Sequence, residues 1–278
     1  MKHNVVIVGL GLIGGSLAKA LKKYTDCSVT GIDSNPAVLE EAFHCGAIDK
    51  IGGDEDIRAA DLLYLCLYPQ ADIDFIKKHA HLIAPDCIVT DTCGIKSEIC
   101  AQLPQLAKKY GFSFVGGHPM AGREKSGFKA SAADLFAGAS CILVPCGAPR
   151  RAIDRLKELA CALRFSGTVV TTPEYHDRMI AFTSQLPHVL ACAYVSSPLC
   201  PEHKGFSAGS YRDVSRVASM NEELWSELFI NNRQALVDEL DTLLANIANI
   251  KNAVEQGDGE RLRALLRKGR LVKERLGE

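Results

Sequence analysis

Val5-Val6-Ile7-Val8-Gly9-Leu10-Gly11-Leu12-Ile13-Gly14-Gly15-Ser16 is an apolar run followed at once by a Gly-x-Gly-x-x-Gly turn. Leu17, Ala18 and Leu21 continue from it at helical spacing, so the stretch reads as strand, tight turn and helix. Gly9 lets the chain turn, Gly11 lets the backbone approach a phosphate without a Cβ in the way, and Gly14 lets the helix pack on the strand. The free N–H groups and the positive end of the helix, at Leu12 and Ile13, then face an anion. A second apolar run, Ser28 to Ile32, ends in Asp33, nineteen residues after Gly14. A carboxylate there accepts hydrogen bonds from the two hydroxyls of an adenosine ribose and repels a 2′-phosphate. The register predicts a dinucleotide site built from Gly9, Gly11, Leu12, Ile13, Gly14 and Asp33, with NAD favoured over NADP. Ser34 is too small to exclude a 2′-phosphate by size, so some NADP use stays open.

The pattern continues outward. Up to Thr171, short apolar runs alternate with helical segments, as a doubly wound parallel sheet requires. The strands expected are Asn4–Val8, Ser28–Ile32, Leu62–Leu67, Cys87–Thr90, Ser113–Val115, Cys141–Val144 and Thr168–Val170. Pro36 and Pro149 read as first-turn prolines of the helices between them. Ligands of such sheets lie beyond the carboxyl ends of the strands, which selects the loops at Tyr68-Pro69, at Asp91 to Gly94 and at Gly116 to Pro119. After Pro173 the alternation stops and three long helical patterns follow, Pro173–Ser196, Asn221–Glu255 and Asp258–Arg275. The fold class expected is α/β. An N-terminal Rossmann-type domain (1–171) binds NAD, and an all-helical domain (172–278) binds substrate and dimerises. The apolar stripe Leu224, Leu228, Leu236, Leu240, Leu243, Leu244, Ile247, Ile250 is longer than the remaining chain can cover, which predicts a homodimer.

Composition narrows the class. The 278 residues carry 32 basic and 33 acidic side chains, a net charge of −1, so nothing in the charge balance draws the chain to nucleic acid or an anionic membrane. Eleven cysteines are scattered without a CxxC pair, mostly in apolar runs, and read as reduced core thiols of a cytoplasmic protein; no metal site is expected. The first strand begins at the N-terminus, leaving no room for a signal peptide, and no apolar run has the length of a membrane span.

Phe114-Val115-Gly116-Gly117-His118-Pro119-Met120-Ala121-Gly122 is the most unusual local sequence. A histidine at a strand end, between a glycine pair and a proline, stands where a nicotinamide would lie, and its near-neutral pKa suits proton removal from an alcohol. His118 is therefore the candidate catalytic base, and kcat/KM is expected to fall on acidification through the ordinary histidine range.

With GLGLIGGS, DTCGIK, FVGGHPMAGREKSG, TSQLPH and GSYRDVSRVA in this order and spacing, the chain resembles the prephenate/arogenate dehydrogenase family over nearly its whole length. The resemblance implies that His118 accepts a hydrogen bond from the C4 hydroxyl of a cyclohexadienol acid while hydride passes from C4 to NAD. The ring carboxylate then leaves as carbon dioxide. It further implies that Arg216 clamps a substrate carboxylate, with Arg212, one helical turn away, as competitor. Lys96 and Gln185 fall with the substrate, and Glu124 lies at the pocket mouth. Trp225 is placed near the substrate, although as a lone tryptophan it reads equally as helix packing. Two positions depart from the family pattern: Gly94 stands where many members carry Ser, and Gln185 where many carry His. Both bear on the choice between prephenate and arogenate, which stays open, with prephenate favoured. Another two-domain NAD(P)-dependent hydroxyacid or imine-reducing enzyme is the alternative class. With no regulatory domain expected beyond Glu278, any inhibition by tyrosine would act at the active site.

Overall fold

In the computed structural model, which describes residues 3–123 and 125–277, the chain forms an eight-stranded sheet followed by a layer of helices. The strands are β1 (Asn4–Val8), β2 (Ser28–Ile32), β3 (Lys50–Ile51), β4 (Leu62–Leu65), β5 (Ile88–Asp91), β6 (Ser113–Pro119), β7 (Ser140–Val144) and β8 (Gly167–Val170), in spatial order 3-2-1-4-5-6-7-8. The first domain's helices are α1 (Leu12–Tyr24), α2 (Pro36–His44), α3 (Asp54–Arg58), α4 (Pro69–His79), α5 (Ser97–Tyr110) and α6 (Arg150–Ala162). Alternation along β1 divides the core. Val5 and Ile7 join α1, α2 and α6 through Leu17, Leu21, Ala42 and Leu156. Val6 and Val8 join α3, α4 and α5 through Ile57, Ile73, Ile76, Ile99 and Leu103. Covered on both faces, the strands need to be apolar at nearly every position.

The sheet departs from the expected all-parallel order at one place. β1 to β6 are parallel, but β7 runs antiparallel to β6, with Gly116, Gly117, His118 and Pro119 facing Val144, Leu143, Ile142 and Cys141. β8 is parallel to β7. β6 therefore extends through Pro119, and His118 sits inside the strand rather than after it. β3, α3 and the short α9 below were not anticipated. Pro36 does occupy the first turn of α2, behind an Asn35 cap whose side chain accepts from Ala37 N–H at 3.0 Å. Pro149 is instead the residue before α6, with an extended ψ of 148°.

The remaining helices are α7 (Pro173–Ile180), α8 (Leu186–Val195), α9 (Gly209–Ser215), α10 (Glu222–Asn231), α11 (Arg233–Glu255) and α12 (Gly259–Leu276). The expected helix 173–196 is interrupted by a π-helical turn, Ala181–Gln185. The expected helix 221–255 is two helices broken at Asn232, where φ is −109° and ψ is 24°. No helix among the described residues is long and apolar enough to cross a membrane.

Candidate active site

The glycine turn has the geometry a pyrophosphate needs. Gly9 has φ +90°, and a Cβ there would stand 2.7 Å from the Cys66 carbonyl oxygen, so only glycine fits. At Gly14 a Cβ would meet the Gly9 carbonyl oxygen at 1.9 Å, which is the close approach of helix to strand. At Gly11 the same construction meets nothing within 4 Å, leaving open space ahead of the first N–H groups of α1 at Leu12 and Ile13. Asp33, at the end of β2, accepts from Leu10 N–H at 2.7 Å and from Asn35 N–H at 2.9 Å, which ties it to the glycine turn. Each of its oxygens keeps a lone pair for a ribose hydroxyl. Tyr68 is exposed on the neighbouring loop, and Pro69 opens α4. The residues present fit a dinucleotide across the carboxyl edge of β1, β2 and β4.

His118, half-buried, lies two strands along the same edge. Its Nδ1 is 2.9 Å from Nε2 of His176, and Nδ1 of His176 is 2.7 Å from Oδ1 of Asp177. Both partners are buried in the first turns of α7, which Thr172 caps through Tyr175 N–H. The Asp177 carboxylate also receives Lys96 N–H and Ser97 N–H, each at 2.7 Å, at the start of α5. Burial alone would raise its pKa; the hydrogen bonds from His176, Ser97 and Lys96 prevail and hold it below the ordinary carboxylate value. Burial, the facing His176 and the nearby Lys96 together hold His118 well below the ordinary histidine range.

A second buried network backs this one. The Lys96 ammonium is fully buried against Oδ2 of Asp91 and also donates to the Ile95 carbonyl at 2.9 Å. Asp91 Oδ1 accepts from Gly117 N–H at 3.0 Å, beside His118, and Oδ2 from Cys93 N–H at 2.9 Å. These contacts revise two expectations. Lys96 does not face substrate and Asp91 does not face the cofactor, because each side chain is engaged inside the protein; breaking such a pair by removing one partner typically costs about 3–5 kcal/mol. Next to them, burial and the proximity of Asp91 push Asp72 up to about 7.

Gln185 is revised in the same way. It is buried, its amide donates to the Leu228 carbonyl at 3.2 Å, and its oxygen accepts from Asn232 Nδ2 at 2.8 Å. Asn232 Nδ2 also reaches the Asp177 carbonyl at 2.9 Å. Gly94 faces the same helix, since a Cβ there would touch only Leu228, at 3.5 Å. α10 is thus seated against both positions that depart from the family pattern. Trp225, on α10, stacks on His188 of α8 with ring centroids 3.7 Å apart. Arg216 begins an exposed 3-10 turn, Arg216–Ala218, packed on α8; Arg212 is exposed on α9. Glu124 lies outside the described residues. The chemistry-bearing residues the sequence reading missed are His176 and Asp177. Their signal was weak: a His-Asp pair just after Thr-Pro at a helix start is ordinary polar sequence.

A dinucleotide cradle, a histidine on the same sheet edge and a helical second domain that reaches into the site define a two-domain dinucleotide-dependent oxidoreductase. The comparisons with known proteins carry this to a family. Residues 17–167 match the profile described as "Prephenate dehydrogenase, nucleotide-binding domain", and residues 172–268 match "Prephenate dehydrogenase, dimerization domain". Prephenate dehydrogenase of Bacillus subtilis is 32% identical over 94% of this chain and 73% of that protein. Cyclohexadienyl dehydrogenase of Zymomonas mobilis is 32% identical over 94% of this chain and 91% of its own length. The crystal structure of Aquifex aeolicus prephenate dehydrogenase with hydroxyphenyl propionate and NAD+ superimposes with a TM-score of 0.87, at 26% identity, covering 99% of both chains. The chain belongs to the prephenate dehydrogenase family.

Proposed function

We propose that the chain catalyses the NAD-dependent oxidative decarboxylation of prephenate to 4-hydroxyphenylpyruvate, a step toward tyrosine in the cytoplasm. The observation that carries the reading is His118, held on the strand edge that the dinucleotide cradle opens onto. NAD, when bound, supplies a hydride acceptor. His118 takes the C4 hydroxyl proton as the hydride departs, leaving a dienone whose ring carboxylate is vinylogous to a β-keto acid. Carbon dioxide then leaves and the ring becomes aromatic. A dianionic substrate needs a cation in a protein with a net charge of −1, and Arg216 is the clamp proposed for its carboxylate, with Arg212 as the competing choice. Glu124 at the mouth and Trp225 beside His188 complete the substrate side. Arogenate is the second reading; the relative named cyclohexadienyl dehydrogenase favours it, and the buried Gln185 makes no charged contact that would select against an amino group. Residues 1–171 and 172–278 are proposed as the two domains and the helical one as the dimer contact, in keeping with the matched dimerization profile.

The paired test is steady-state kinetics of His118→Asn and Arg216→Ala. His118→Asn is expected to lose about 10²–10⁴ in kcat with KM largely kept. Arg216→Ala is expected to raise KM for prephenate, leaving NAD binding unchanged. Near-normal turnover of the first or an unaltered KM in the second removes the corresponding role.

A further inference from the structure

We propose that His176 and Asp177 are positioning residues that fix the tautomer of His118, protonated on Nδ1 and open on Nε2, so that Nε2 is the atom that receives the substrate proton. The inference rests on His118 being the base of the reaction above and deepens that reading. Its starting point is Asp177. Lys96 N–H and Ser97 N–H both donate to this carboxylate, and an ionised carboxylate only accepts, so the bond at 2.7 Å from His176 Nδ1 requires a proton on that nitrogen. A neutral His176 then presents a lone pair on Nε2. The bond at 2.9 Å to His118 therefore has His118 Nδ1 as donor, and the lone pair of the His118 ring falls on Nε2.

The charges around His118 agree with this direction. From β5, Asp91 faces it through the Gly117 amide, and Asp91 is neutralised by Lys96 from the loop before α5. From α7 come His176 and Asp177. Apart from the His176 ring, the printed partners of the Asp177 side chain are backbone N–H groups, so its charge is not cancelled by Lys96 or an arginine. When Nε2 takes the substrate proton, Asp177 is the counterion of the resulting imidazolium, reached through His176. Only one proton is transferred, from the substrate oxygen to Nε2; the two relay protons stay on their nitrogens.

The relay also crosses the domains. His118 belongs to β6, while His176 and Asp177 belong to α7, whose backbone is held by Asn232 at the Asp177 carbonyl. The base is therefore aimed only when the helical domain is seated on the sheet.

The test joins nitrogen-15 NMR of histidine-labelled protein, at a pH where His118 is neutral, with kinetics of His176→Phe and His176→Gln. The spectrum is expected to show a neutral His118 ring protonated at Nδ1. His176→Phe, which offers no acceptor, is expected to lose about 100-fold in kcat with KM for NAD unchanged. His176→Gln, whose side-chain oxygen accepts from Nδ1, is expected to recover at least about tenfold of that loss. A His118 ring protonated at Nε2 overturns the proposal, as does a folded His176→Phe within about threefold of the parent. A folded His176→Gln as impaired as His176→Phe also counts against it. A parent protein that oxidises neither cyclohexadienyl acid removes the proposed reaction instead, while the NMR spectrum still decides the tautomer.

Discussion

A base must be neutral before it can accept a proton, and burial, His176 and Lys96 all favour the neutral form of His118. A histidine pKa depressed in this way keeps kcat/KM flat as pH falls through the ordinary histidine range, and activity is lost only at lower pH. The expectation from sequence alone put the acid limb within the ordinary range, because sequence shows the residue type and not its desolvation. Measured pH profiles are expected to show a plateau already established at about pH 6.5, the unperturbed histidine value; a limb centred on that value contradicts the described environment. His118 was legible because Gly-Gly-His-Pro at a strand end is rare in purpose as well as in sequence. Lys96, Asp91 and Gln185 were legible as important but were given the wrong partners. Their residue types suit ligands, and only the fold shows that each meets another buried group first.

The elements that build the site are the irregular ones. The π turn at Ala181–Gln185 joins α7 to α8 without a break and places Gln185 in the interior. The break at Asn232 places an amide where it donates both to Gln185 and to the Asp177 carbonyl. Asn232→Leu fills a similar volume but leaves two buried acceptors without that donor, a loss worth about 1–3 kcal/mol per unsatisfied group. Urea unfolding is expected to show a destabilisation of at least that order together with reduced kcat, since the carbonyl lost belongs to the residue that orients His176. An unchanged midpoint contradicts the network. Neither irregularity was legible. The apolar stripe runs through Asn232 without a change of phase, and a π turn has no pattern of its own in a window of mixed residues. The antiparallel β7 escaped for a related reason: apolar runs show that a strand is buried, not which way it points.

Across the whole molecule the two domains are joined by chemistry rather than by a linker alone. Asp177 caps α5 of the first domain, Glu227 of α10 accepts from Gln70 N–H at 3.0 Å, and His176 meets His118. The fold class and the doubly wound first half were readable because period and glycine turn agree there. This seating was not readable, since its residues are far apart in sequence. α11 and α12 meanwhile expose Leu244, Ile247, Val254, Leu266 and Val272, an apolar face that a homodimer would cover. Sedimentation is expected to give twice the mass of the 278-residue chain, and Leu244→Lys with Ile247→Lys to weaken the association; a monomer across micromolar concentrations contradicts that account. The central claim concerns the reaction, and steady-state turnover with prephenate and with arogenate, each with NAD and with NADP, tests it most directly. Prephenate with NAD is predicted to yield NADH, seen by its near-ultraviolet absorbance, with the highest kcat/KM of the four combinations. Formation of neither NADH nor NADPH from either acid contradicts it.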